Sequence, residues 1–135
     1  MSGKIFIDTN IFVYTQSSVE INKRNISTGI IENYDCHTST QVLSEVSNVL
    51  TKKLNMPIHE VKQIISAINE NCTIRIVDYE TVQKALDLKE QYAYSYYDSL
   101  ILAAAIESGC KKIFSEDMSN RQIIENTLEI ANPFK

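Results

Sequence analysis

Apolar positions along this chain follow two rhythms. Ile5-Phe6-Ile7 and Ile113-Phe114 are short continuous apolar runs, as expected of strands buried on both faces. Between them, apolar residues recur every three or four positions, as on helices with one buried face. The pattern predicts strands over Lys4–Ile7, Asp35–Thr38, Thr73–Val77, Lys112–Ser115 and Thr127–Ala131. A short helical start is predicted over Asn10–Tyr14, then a longer helix over Val19–Tyr34 with Ile26, Ile30, Ile31 and Tyr34 on one face. Thr38-x-x-Gln41 has capping-box spacing and opens a helix that turns Val42, Leu43, Val46, Val49 and Leu50 inward. Pro57 starts the next helix, Ile58–Asn71, with Val61, Ile64, Ile65 and Ile68 as its stripe. The two helices form a hairpin. A helix over Tyr79–Tyr92 is expected to bury Val82 and Leu86, and one over Ser99–Ser108, apolar nearly all round, to lie among other elements. Gly109 stands at that helix's C′ position, and a last short helix is expected near Ser119–Glu125. Strands alternating with helices through short joints predict one α/β domain over residues 1–135, with a parallel central sheet of four to five strands flanked by helices.

Composition adds boundaries. Across 135 residues, 44% are hydrophobic and 22% charged, an ordinary balance for a folded domain. The longest apolar run, Leu100–Ile106, is far shorter than the roughly 18 residues of a membrane helix, so no membrane association is expected. Met1-Ser2-Gly3-Lys4 leads directly into the first predicted strand, so no signal peptide is expected. Cys36, Cys72 and Cys110 are odd in number and widely spaced, which suits small core residues in a reducing cytoplasm. A net charge of −4 argues against a protein that coats nucleic acid through bulk positive field. It leaves a nucleic-acid enzyme open, since a bound divalent cation reverses the local sign.

Four acids carry the candidate chemistry. Asp8 follows the first buried strand without a gap, at the strand end where open α/β sheets place ligands. Capping of the following helix is its competing role. Asp117 repeats the arrangement after the Lys112–Ser115 strand. Asp98 stands at the far end of Ser95-x-x-Asp98, a spacing that also suits a helix cap. Glu45 falls at the border of an apolar stripe, between Val42 and Val49, with no Lys or Arg one helical turn away. A half-buried Glu needs a partner, either a metal or a distant lysine. Asp8, Glu45, Asp98 and Asp117 together offer oxygen ligands only, which suit Mg²⁺ or Mn²⁺ rather than Zn²⁺. Within ~4–6 Å of one another they repel, and a cation would hold them ionised. Such ions can activate water for phosphodiester hydrolysis.

Asp8-Thr9-Asn10, Ser44-Glu45, Tyr97-Asp98-Ser99-Leu100-Ile101 and Ser115-Glu116-Asp117-Met118, in this order and spacing, resemble the PIN domain. More narrowly they resemble the VapC-type ribonuclease toxins of type II toxin–antitoxin pairs, as does the closing Asn132-Pro133-Phe134. The resemblance implies a PIN-like fold and a metal-dependent endoribonuclease in which Asp8, Glu45, Asp98 and Asp117 bind Mg²⁺ or Mn²⁺ and position the attacking water. It implies supporting roles for Asn10 and Ser115, an RNA substrate, a small cognate antitoxin and a homodimer, with the helical hairpin as a candidate dimer face. One position departs from the pattern. Many members carry a further acid where this chain has Ser119, and whether Glu116 replaces it is left open.

Other features carry less. His37 and His59 are isolated and are expected to be non-catalytic. Lys23 and Arg24 suit a solvated helix face, with a phosphate contact as the alternative. Tyr92, Tyr94, Tyr96 and Tyr97 suit packing, with stacking on unpaired RNA bases as the minor alternative. An aspartate-nucleophile phosphatase is disfavoured, because the position for its general acid holds Asn10. A non-catalytic PIN-like binding or scaffold domain remains the alternative function.

Overall fold

A computed structural model describes residues 3–135; the leader reading of Met1 and Ser2 lies outside the described residues. The elements are β1 (Lys4–Ile7), α1 (Thr9–Tyr14), α2 (Ile21–Asn33), β2 (Asp35–Ser39), α3 (Thr40–Lys52), α4 (Ile58–Asn71), β3 (Thr73–Arg75), α5 (Tyr79–Tyr92), α6 (Tyr96–Glu107), β4 (Lys112–Phe114), β5 (Ile123–Ile124) and β6 (Leu128–Ala131). They form one six-stranded sheet in the order β3-β2-β1-β4-β6-β5. All neighbouring pairs are parallel except β5 with β6.

Topology places the site. From β1 the chain adds β2 and β3 on one side, then returns with β4 on the other, making the β1–β4 junction the point where strand order reverses. Open sheets leave a crevice at the carboxyl ends of such a pair. Both strands are pinned by burial: Phe6, Ile7 and Ile113 are wholly inaccessible. Helix α6 lies against β2 and β4, with α5 packed along it. Its residues Ser99–Ala105 are all buried, as the all-round apolar sequence requires.

Several expectations need correction. The stretch expected as a helix near Ser119–Glu125 instead runs through a turn into β5, giving a sixth, antiparallel strand. Glu125 and Asn126 both take positive φ (52° and 62°), and Thr127 N–H donates to the Ile124 carbonyl, a tight hairpin turn. Seven residues make a poor isolated helix, whereas the hairpin gives their backbone a partner on β6. Helix α2 is shorter than expected, and Ile26 and Tyr34 are exposed, with Ser27 buried instead. In α5, Leu86 faces out and Ala85 and Leu88 face in. The α3 cap is Ser39, which accepts from Val42 N–H at 3.3 Å, one residue later than the Thr38-x-x-Gln41 reading. Thr38 is drawn into β2 and donates to the Ile7 carbonyl at 2.9 Å, closing the end of β1. Strand β3 ends at Arg75 rather than Val77. Among the described residues, no helix is long and apolar enough to cross a membrane.

Because Leu102 is wholly buried in α6, Leu102→Ala is predicted to destabilise the fold by about 2–5 kcal/mol, as large-to-small core changes do. Urea unfolding checks this, and a loss below about 1 kcal/mol would mean the helix is not packed as described.

Candidate active site

The four acids line one cleft of about 220 Å³, together with Thr9, Asn10, Asn48 and Val49. Asp8 forms its buried floor. At the N-cap of α1, its Oδ1 accepts from Thr9 N–H at 2.7 Å, and its Oδ2 accepts from Ser115 Oγ at 2.8 Å. The capping role and a place in the cleft are thus held by one carboxylate. Asp117 follows β4 and is exposed at the rim, where its Oδ2 accepts from Asn10 Nδ2 at 2.8 Å. Glu45, half-buried on α3, accepts from Thr9 Oγ1 at 2.9 Å and from Gln41 Nε2 at 2.7 Å. Asp98 lies in the first turn of α6, where Ser95 is the cap: its Oγ accepts from Asp98 N–H at 3.1 Å. That leaves the Asp98 carboxylate available to the cleft it lines.

Among the described residues, every hydrogen-bond donor to Asp8, Glu45 and Asp117 is uncharged. Among the described residues, no lysine or arginine lines the cleft and no ion pair involves these four acids. A distant lysine is therefore not the partner of Glu45. The cost appears in the ionisation of the acids. Burial pushes Asp8 up to about 6 from 3.8, and the charges of Glu45 and Asp98 push the same way against the Ser115 and Thr9 hydrogen bonds. Asp98 is also raised, by partial burial and by Glu45 and Asp117, against Ser95. Hard oxygen donors without a counter-charge suit a divalent cation such as Mg²⁺ or Mn²⁺. Among the described residues, no three acidic, histidine or cysteine side chains converge closely enough to form a finished cage.

The neighbouring candidates separate cleanly. Glu116 does not line the cleft; its carboxylate accepts from Tyr14 Oη at 2.6 Å and Lys23 Nζ at 2.5 Å. Burial raises its pKa, but Lys23 and Tyr14 together hold it below the ordinary carboxylate value. Lys23 accordingly belongs to an ion pair rather than a solvated face, and Arg24 donates to the Ser17 carbonyl at 3.2 Å. Ser119 is exposed and outside the cleft. His37, buried near Asp35, and His59, exposed, are also outside it. Tyr94 and Tyr92 tie down the 119–125 segment through their hydroxyls. Tyr97 is exposed beside Asp98.

Sequence reasoning missed Thr9 and Gln41. Gln41 was legible as an i−4 partner of Glu45. Thr9 had no local signal, because its bond to Glu45 joins residues 36 positions apart.

The raised Asp8 pKa has a sign. Below pH 3.8 the carboxyl is protonated in folded and unfolded chains alike, and its burial adds little. As pH rises to about 6 the unfolded chain releases the proton first, so the folded state loses stability, and the deficit stays above that point. It amounts to on the order of 3 kcal/mol. Asp8→Asn keeps an acceptor for Thr9 N–H and can donate to Ser115 Oγ. It is predicted to stabilise the metal-free protein at pH 7.5 and to lose that advantage towards pH 4. Urea midpoints at the two pH values check this; a variant less stable than the parent at pH 7.5 contradicts it.

A family model for the PIN domain matches residues 5–123, a span that includes all four acids. No curated protein matches the chain by sequence. Among solved structures, the fold is similar to that of the Mycobacterium tuberculosis toxin VapC20, which cleaves the sarcin–ricin loop (18% identity, 90% of this chain and 97% of that chain, TM-score 0.71). It is also similar to VapBC2 from Rickettsia felis, bound to a promoter DNA fragment (18% identity, 96% of this chain and 100% of that chain, TM-score 0.68). A toxin–antitoxin complex from Klebsiella pneumoniae is a third (16% identity, 96% of this chain and 97% of that chain, TM-score 0.71). At these identities the likeness is one of fold. The family match spans residues 5–123 of this 135-residue chain, and the chain belongs to the PIN domain family.

Proposed function

We propose that this chain is a Mg²⁺- or Mn²⁺-dependent endoribonuclease, the toxin of a type II toxin–antitoxin pair, built as a single nuclease domain. The observation that carries the reading is the cleft itself: Asp8, Glu45, Asp98 and Asp117 come from distant points of the chain and line it together, with only uncharged donors to them among the described residues. Asp8 and Asp98, both raised in pKa by burial and by neighbouring acids, are the groups a cation would most relieve.

In this reading the four carboxylates are the metal-binding and catalytic groups. A bound divalent ion supplies a polarised water as nucleophile and stabilisation of the leaving oxygen. The chain's remaining work is orientation. Ser115 and Thr9 N–H fix both oxygens of Asp8, Thr9 Oγ1 and Gln41 fix Glu45, and Asn10 fixes Asp117. Such supporting bonds set ligand direction and basicity. The substrate is RNA, the neutralising partner a small antitoxin, and the compartment the cytoplasm, where Cys36, Cys72 and Cys110 stay reduced. A homodimer through the α3–α4 hairpin, which leaves Leu54 and Ile58 exposed, completes the proposal.

Two measurements test it together. The purified protein with Mn²⁺ is expected to cleave single-stranded or structured RNA, and Asp8→Asn or Asp98→Asn to cut the rate by more than the about 10–100-fold that loss of a supporting group costs. Mn²⁺ at about 100 times its Kd is expected to stabilise the parent by ~2.7 kcal/mol, and Asp8→Asn to abolish that gain. Absence of both cleavage and a Tm response in the parent would instead identify a non-catalytic scaffold.

A further inference from the structure

Consecutive residues Glu116 and Asp117 have opposite surroundings, although both follow the same strand. Asp117 lines the acidic cleft. Glu116 points the other way, into a closed polar group: Tyr14 Oη donates to Oε1 at 2.6 Å, Lys23 Nζ donates to Oε2 at 2.5 Å, and Lys23 Nζ lies 3.3 Å from Tyr14 Oη. The Lys23 ammonium also sits 4.9 Å from the Tyr14 ring centroid and 5.4 Å from that of Phe134, whose ring packs edge-on against Tyr14 at 5.2 Å. The Glu116 carbonyl accepts from Asn132 Nδ2 at 3.5 Å. Asn10 and Tyr14 stand four residues apart on α1, hence on one face, and hold Asp117 and Glu116 respectively.

We propose that Tyr14, Lys23 and Glu116 are positioning residues for Asp117, fixing the backbone after β4 so that the exposed Asp117 carboxylate is pre-set for a divalent cation. The proposal rests on the metal-dependent reading of the cleft. It also assigns Glu116 a place outside the ligand set. Among the described residues, the Asp117 carboxylate has a single hydrogen bond, from Asn10, so its direction depends on the residue before it. Charge-assisted bonds to a half-buried pair give the needed rigidity. Preorganised ligands bind more tightly because less freedom is lost when the ion arrives.

The test is Mn²⁺ affinity, read by electron paramagnetic resonance of free Mn²⁺ and by Tm, with no RNA present. Lys23→Met and Glu116→Gln are each expected to weaken binding by about 10-fold, the low end for groups outside the ligand set, and Lys23→Arg to restore most of it. Lys84→Met is the matched control, since Lys84 forms an ion pair of similar exposure with Glu125, away from the cleft. It is expected to lower Tm while leaving Mn²⁺ affinity unchanged. Unchanged affinity in folded Lys23→Met and Glu116→Gln, or an equal loss in Lys84→Met, overturns the positioning role alone. A parent that binds no Mn²⁺ overturns the cation reading of the cleft and this inference with it. Should Lys23→Met fail to fold, Glu116→Gln, which keeps size and can still accept from Tyr14, decides the question.

Discussion

The parallel pairing of β1 with β4 is the constraint from which the cleft follows. Ile7 lies opposite Phe114, Asp8 N–H donates to the Phe114 carbonyl at 3.1 Å, and Ser115 Oγ reaches Asp8 at 2.8 Å. A slip of one residue would send Asp8 and Ser115 to opposite faces of the sheet. The register that sets Phe6 opposite Ile113 and Ile7 opposite Phe114 therefore sets the site. Glu45 and Asp98 then arrive on α3, which begins where β2 ends, and on the first turn of α6.

This arrangement works against the fold locally. Among the described residues, four carboxylates share a cleft without a lysine or arginine, and burial raises Asp8 above the ordinary carboxylate range. Local rules of stability favour a cation at such a place, and the chain uses one a single residue away, where Lys23 meets Glu116. Donors such as Thr9, Gln41, Asn10 and Ser115 hold the cleft acids in direction without cancelling their charge. Departures of this kind from local consistency are expected where a protein keeps a function rather than maximal stability.

Much of this was legible along the chain because it is local. Continuous apolar runs marked β1 and β4, all-round apolarity marked α6, and Pro57 marked the start of α4, where it is the N-cap residue. The four acids could be picked out because each stood where burial or a strand end made a carboxylate conspicuous, and all four line one cleft. Failures came where tertiary contacts decide. Within segment 119–125, Ile123 and Ile124 become a strand through their pairing with β6. Leu86 lost its inward place to Ala85 and Leu88, since a stripe border can rotate by one residue without altering the periodicity. Lys23 was misread as solvated because Glu116, its partner, is 93 positions away.

Helix α1 shows how closely core and cleft are joined. Six residues cannot hold a helix in water by themselves, because nucleation costs more than so few bonds return. Its order is supplied from outside. Ile11 and Phe12 are buried in the core, while Asp8 caps its start. Three of its polar side chains are each committed to an acid elsewhere: Thr9 to Glu45, Asn10 to Asp117 and Tyr14 to Glu116. The helix exists because the core and the acids hold it, and the acids keep their places because the helix is there. Loosening either side therefore loosens the other, so the geometry of the cleft and the stability of the sheet's central strands are one property of the chain.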